Sequence, residues 1–155
     1  MSDDRVRVPD PALMQRAGTR MLLALIIVLI LVTPLTVGGI TLLVAGEAAG
    51  LPLAAGGVVL GVAAIVLTVT TRRIRRTLDQ GTVARGALEA ARRVSRRVRL
   101  ACLTTLLALI VFGVVRGLSG EWWSLGTALL MGVALYVFGN GANTMVKAHD
   151  RALAA

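Results

Sequence analysis

The side chains best equipped for chemistry in this chain are arginines. Residues 72–99, RRIRRTLDQGTVARGALEAARRVSRRVR, hold ten of them against only Asp79 and Glu89. A guanidinium presents a planar fork of N–H donors that fits phosphate or carboxylate oxygens, so this stretch is built to meet anions. Nucleic acid is a poor fit, because the segment contains no aromatic residue on which a base could stack. Two compatible readings remain: a solvated hairpin that serves as the positive-inside signal, and contact with anionic lipid headgroups or an acidic partner surface, with Arg92, Arg93, Arg96 and Arg97 as the candidate contacts.

A second set lies near the C-terminus, in LLMGVALYVFGNGANTMVKAHD. Gly132, Tyr136, Gly139, Asn140, Asn143 and Lys147 recur at three- and four-residue steps, which puts them on one small and polar stripe of a helix. An amide surrounded by apolar residues needs a hydrogen-bonding partner, commonly on a neighbouring helix. In a self-associating protein the same stripe could line a wet path. Tyr136, Asn140 and Asn143 are therefore candidate interhelical or pore-lining residues.

Catalytic chemistry finds few footholds. His149, beside Asp150, is the single histidine, and Cys102 is the single cysteine, which excludes an internal disulfide. No His-x-x-x-His zinc pair, phosphate loop ending in Lys-Ser/Thr, or Gly-x-Ser-x-Gly elbow occurs. The reading is of a non-enzyme with neither cofactor nor metal. The run GTVAR at 81–85 resembles the Gly-x-x-Ala-Arg piece of the CDP-alcohol phosphotransferase signature. That resemblance would imply several aspartates holding a divalent metal beside a lipid headgroup. Here Asp79 stands one residue too far from Gly81, and after Glu89 no acidic residue follows before Glu121. The resemblance covers five residues and is rejected.

The elements that must carry these groups are set by hydropathy. The 155-residue chain is 56% hydrophobic and 3% aromatic, with a mean hydropathy of +0.80. Its apolar residues are bunched in long runs, so its solvent is lipid. Uncharged spans at about 21–44, 52–71 and 124–146 are long enough to cross, at roughly 36, 30 and 35 Å. A fourth, at 100–116, is shorter, but Arg99 and Arg116 can snorkel at its ends. The expected fold is all-α, with four transmembrane helices and a basic helical hairpin over 72–99. An arm at 1–20 precedes the spans and a tail at 147–155 follows them. The first span is about twice the length of a signal-peptide core and follows acidic residues, so it reads as an uncleaved helix.

Orientation comes from the basic residues of the short flanks. The arm, the 72–99 segment and the tail carry four, ten and two, whereas the loops at 45–51 and 116–123 carry none and one. The positive-inside rule puts both termini and the hairpin in the cytoplasm, with Trp122 and Trp123 at the outer interface. Arginine supplies 16 of the 17 basic residues, a bias that points to a GC-rich bacterial genome and hence to an inner membrane. The spans carry no charged residue in their cores, which argues against small multidrug exporters, four-helix proteins that depend on an intramembrane glutamate.

Finer features follow. On a helix over 83–99, Ala84, Ala87, Leu88, Ala91, Val94, Ser95 and Val98 share one arc, and the arginines occupy the other. Gly81 would reverse the chain, with Thr82 capping this helix; Asp10 would cap one that begins at Pro11. Pro34 removes the hydrogen bond to the carbonyl of Ile30 and is expected to kink the first span. Gly57 and Gly61, and Gly113 and Gly117, have the spacing that lets helices approach. Finally, AGEAAGL at 45–51 is echoed by SGEWWSL at 119–125, as a duplicated two-helix unit would leave it.

The functional expectation is an accessory or assembly subunit of a larger membrane complex. Its partners would be anionic lipid and other membrane subunits, or copies of itself. The alternative is a self-oligomerising, holin-like pore, with a small transporter third.

Overall fold

The computed structural model describes the backbone of residues 5–7, 11–77 and 82–154. Side chains are described from residue 19 onward, except at 75, 77–84, 148–149 and 151–155. Four helices dominate: α1 (Pro11–Val44), α2 (Gly50–Thr77), α3 (Arg85–Leu118) and α4 (Trp122–Ala154). All four are long and apolar enough to cross a membrane, as a multi-pass membrane protein requires. α1 starts at Pro11 and continues through Pro34 without interruption. Asp10 and Gly81 lie outside the described residues.

One local expectation fails. Thr82–Ala84 forms a short strand, β2, that pairs antiparallel with β1 (Arg5–Arg7) of the N-terminal arm. α3 therefore starts at Arg85, and Thr82 is not its cap. The backbone groups of 82–84 find partners in the arm instead of in a first helical turn. Nothing local announces this ribbon, because its two halves are separated by the whole of α1 and α2.

The helices form two antiparallel hairpins, α1 on α2 and α3 on α4, and α2 also packs against both α3 and α4. Only 11% of the most apolar stretch of α1 is buried within the protein, against 39% for α2, so α1 is the outermost helix and α2 the central one. The core includes Leu60, Ala64 and Leu67 of α2, Cys102 and Leu109 of α3, and Met131 and Leu135 of α4, with Leu25 and Val32 arriving from α1. Large apolar side chains such as Ile30, Leu107 and Val133 are exposed on the outside of the bundle, as the lipid-contacting surface of a multi-pass membrane protein requires.

The sequence echo marks a repeated geometry. Gly46 and Gly120 end α1 and α3 with φ of 84° and 88°. Each N–H reaches back three residues, from Gly46 to the Leu43 carbonyl and from Gly120 to that of Gly117, both at 3.0 Å. The following glutamates reach back five, from Glu47 to Leu42 at 2.9 Å and from Glu121 to Arg116 at 3.0 Å. Both helices thus close with a Schellman motif, whose left-handed residue glycine adopts without strain. A second correspondence holds at the same offset along the chain. A methyl added at Gly39 would lie 2.5 Å from the Ala54 nitrogen, and one at Gly113 would lie 2.7 Å from Ala128 Cβ.

The other glycines divide. A methyl at Gly57 would collide with Thr36, and one at Gly117 would meet Leu125, but Gly61 has open space around it. Threonine hydroxyls inside the spans turn back on their own helices: Thr33 donates to the Leu29 carbonyl at 2.7 Å and Thr36 to that of Val32 at 2.8 Å. That local bond spares a lone hydroxyl the cost of sitting unpaired in hydrocarbon.

Candidate functional site

The basic face of α3 is a property of one helix with two sides. Leu88, Ala91, Ser95 and Val98 are buried, while Arg85, Arg92, Arg93, Arg96 and Arg97 are exposed. The inner arc is small enough for α4 to lie close, and the arginines stand outward around the rest of the circumference.

The four arginines singled out from the sequence are not equivalent. Arg92 forms an ion pair across to α4, with its Nε 2.6 Å from Asp150 Oδ1. Arg93, Arg96 and Arg97 have no ion-pair partner among the described residues. Arg85 pairs with Glu89 one turn on, at 3.5 Å, and both are about half exposed; such pairs contribute only a few tenths of a kcal/mol. Arg85, Glu89, Arg92 and Arg93 together line a shallow recess of about 420 Å³.

The polar stripe of α4 splits in two. Gly132 and Gly139 are buried against Leu106 and Cys102 of α3. Half-buried Asn143 accepts a hydrogen bond from Arg99 Nη1 through its Oδ1 at 2.7 Å. Tyr136 and Asn140, by contrast, are exposed. The six stripe residues fan over roughly 100° of the helix circumference, and α3 covers only one flank of that fan.

At the opposite end of the bundle a third polar cluster closes the α3–α4 turn. Arg116 Nη1 donates to Glu121 Oε1 at 2.7 Å, and buried Ser124 donates to Glu121 Oε2 at 3.1 Å. The Arg116 guanidinium also stands 5.9 Å from the centre of the Phe112 ring, within cation–π range. Trp122 and Trp123, at the start of α4, are exposed beside this cluster.

Sequence reasoning missed the pairings Arg99–Asn143, Arg92–Asp150 and Arg116–Glu121. A signal for the first two was present, since in each pair both residues lie nearly equally far along the chain from the turn at Gly120. In an antiparallel hairpin that equality places them side by side. The side chain of His149 lies outside the described residues. Among the described residues, no three His, Cys, Asp or Glu side chains gather as a metal site would require. Compared with family models, with curated proteins and with solved structures, the chain matches none of them.

Proposed function

We propose that this is a non-enzymatic protein of the bacterial inner (plasma) membrane that works by contact, as an accessory or assembly subunit of a larger membrane complex. In this reading both termini and the 72–99 hairpin are cytoplasmic, as the distribution of basic residues favours. The observation that carries it is the two-sided character of α3. A helix buried along one arc presents Arg93, Arg96 and Arg97 outward without ion-pair partners among the described residues. Clustered guanidinium groups in that position attract anionic headgroups or an acidic partner, at about 1 kcal/mol for each basic residue near the surface.

The exposed Tyr136 and Asn140 supply a second contact. An amide on a lipid-facing helix surface gains when another membrane helix provides a hydrogen-bonding partner. The same exposure favours the alternative reading, in which copies of this chain turn those residues toward a shared axis.

Native mass spectrometry of the particle extracted in mild detergent separates the two. A mass that includes other proteins supports the subunit reading. A clean multiple of the 16.2 kDa protomer moves the assignment to a homo-oligomer, for which Asn140→Leu and Asn143→Leu are expected to abolish conductance in liposomes. For the subunit, replacing Arg92, Arg93, Arg96 and Arg97 with glutamate is expected to release the partner while the four helices stay folded. Partner binding that survives this change counts against the reading.

A further inference from the structure

Between α2 and α3, which touch less extensively than the partners within either hairpin, runs an apolar groove of about 430 Å³. Its α2 wall includes Val58, Val62 and Val66, spaced four residues apart on one helix face; its α3 wall includes Val94, Arg97 and Ala101. Val58 and Val62 are 52% and 56% exposed, so no other helix of the chain covers this wall. From Val58 to Val66 the wall runs about 12 Å, close to the ~15 Å depth of a single leaflet's hydrocarbon. Arg97 contributes the only charged side chain among the described residues of the lining. Arg93 lies one turn away on the same face of α3, and both guanidinium groups are exposed and lack ion-pair partners among the described residues.

We propose that this groove is a binding site for one anionic phospholipid. An acyl chain lies along the valines of α2, and the phosphodiester is held by Arg97 with Arg93 beside it. The apolar wall matches a hydrocarbon chain, and the two guanidinium forks match phosphate oxygens at the point where chain meets headgroup. Arg97 lines the groove, and an arginine so placed lays its stem along apolar surface while its head turns toward water. A zwitterionic lipid would bring its own ammonium group against Arg93 and Arg97, so the site prefers a headgroup of net negative charge. The inference rests on the reading of the arginine face as an anion-contact surface, and it narrows that reading from a diffuse attraction to one built site.

The test is native mass spectrometry of the full chain in mild detergent, titrated with phosphatidylglycerol or phosphatidylcholine of matched chains. The intact protein is expected to retain one phosphatidylglycerol in preference to phosphatidylcholine. Arg97→Gln is expected to reduce that retention about tenfold. Val62→Trp fills the groove from an exposed position and is expected to remove the bound lipid of either class. Arg72→Gln alters an exposed arginine of α2 that does not line the groove, and is expected to leave retention unchanged. Equal losses from Arg72→Gln and Arg97→Gln, with Val62→Trp harmless, would overturn the built site while sparing the general attraction to anionic surfaces. An intact protein that retains both lipids equally would overturn the site, whereas the acidic-partner reading falls only if partner binding survives the charge reversal of the four arginines.

Discussion

In the first hairpin α1 lies on α2 through glycines; in the second α3 is clasped to α4 by polar side chains at three levels. The two units share a Schellman turn, at Gly46 and at Gly120, and a glycine–alanine contact at matching positions. They differ in what surrounds that frame. Arg116 of the second turn is replaced by Leu42 in the first, so Glu47 lacks the intrahairpin ion pair that Glu121 makes. Farther down, Arg99–Asn143 and Arg92–Asp150 bridge α3 to α4, while the described side-chain hydrogen bonds of α1 and α2 close locally within each helix. One turn geometry therefore serves two strategies. The first hairpin relies on close packing around its glycines, and the second adds polar bridges to a seam in which Gly113, Gly117, Gly132 and Gly139 also pack against the facing helix.

That contrast is open to attack by mutation, and the largest effect is expected at Gly39. An alanine there would press its methyl against the Ala54 backbone nitrogen at 2.5 Å and Leu53 Cβ at 2.7 Å, which only a shift of the whole helix can relieve. Gly39→Ala is expected to cost about 3 kcal/mol in reversible unfolding from mixed micelles, the upper end for overpacking. Gly113→Ala meets chiefly Ala128 Cβ, should cost about 1 kcal/mol, and should be rescued by Ala128→Gly. Equal costs at the two glycines would show that the hairpins are packed alike.

An intermediate effect is expected at the clasp. Arg99→Leu leaves the amide of Asn143 without its donor, and a double-mutant cycle with Asn143→Leu is expected to give a coupling of about 0.6–2 kcal/mol. A coupling near zero would mean that the bond adds nothing to the association of α3 with α4.

The smallest effect is reserved for the turns. Glu121→Gln weakens the acceptor shared by Arg116 and Ser124 and is expected to cost about 0.5 kcal/mol, as partly exposed pairs do. Glu47→Gln is expected to be silent. If the two substitutions cost the same, the Arg116 cluster does not distinguish the second turn from the first.

Much of the architecture was legible before any coordinates. Four uncharged runs can be satisfied only as helices in a bilayer, because each backbone N–H and C=O must find its partner within the segment. The inner arc of α3 was equally readable. Leu88, Ala91, Ser95 and Val98 fall on one side at helical spacing, and all four are buried. The polar stripe of α4 was legible as a stripe but not as two halves. Whether an amide such as Asn140 or Asn143 is exposed or bonded depends on which part of the fan a neighbouring helix covers, and periodicity carries no such information.

The sequence by itself determined that four helices are long and apolar enough to cross a membrane, and the amphipathic division of α3. These are consequences of local composition and of the cost of leaving backbone or charge in hydrocarbon. Only the tertiary structure decided that α2 is the central helix, that among the described residues Arg92 and Arg99 are engaged across to α4 while Arg93, Arg96 and Arg97 are not, and that Arg5–Arg7 pairs with Thr82–Ala84. Each of these depends on register between segments distant in the chain. Register is set where close-packed backbones meet, as at Gly39 and Gly113, and no single segment carries it alone.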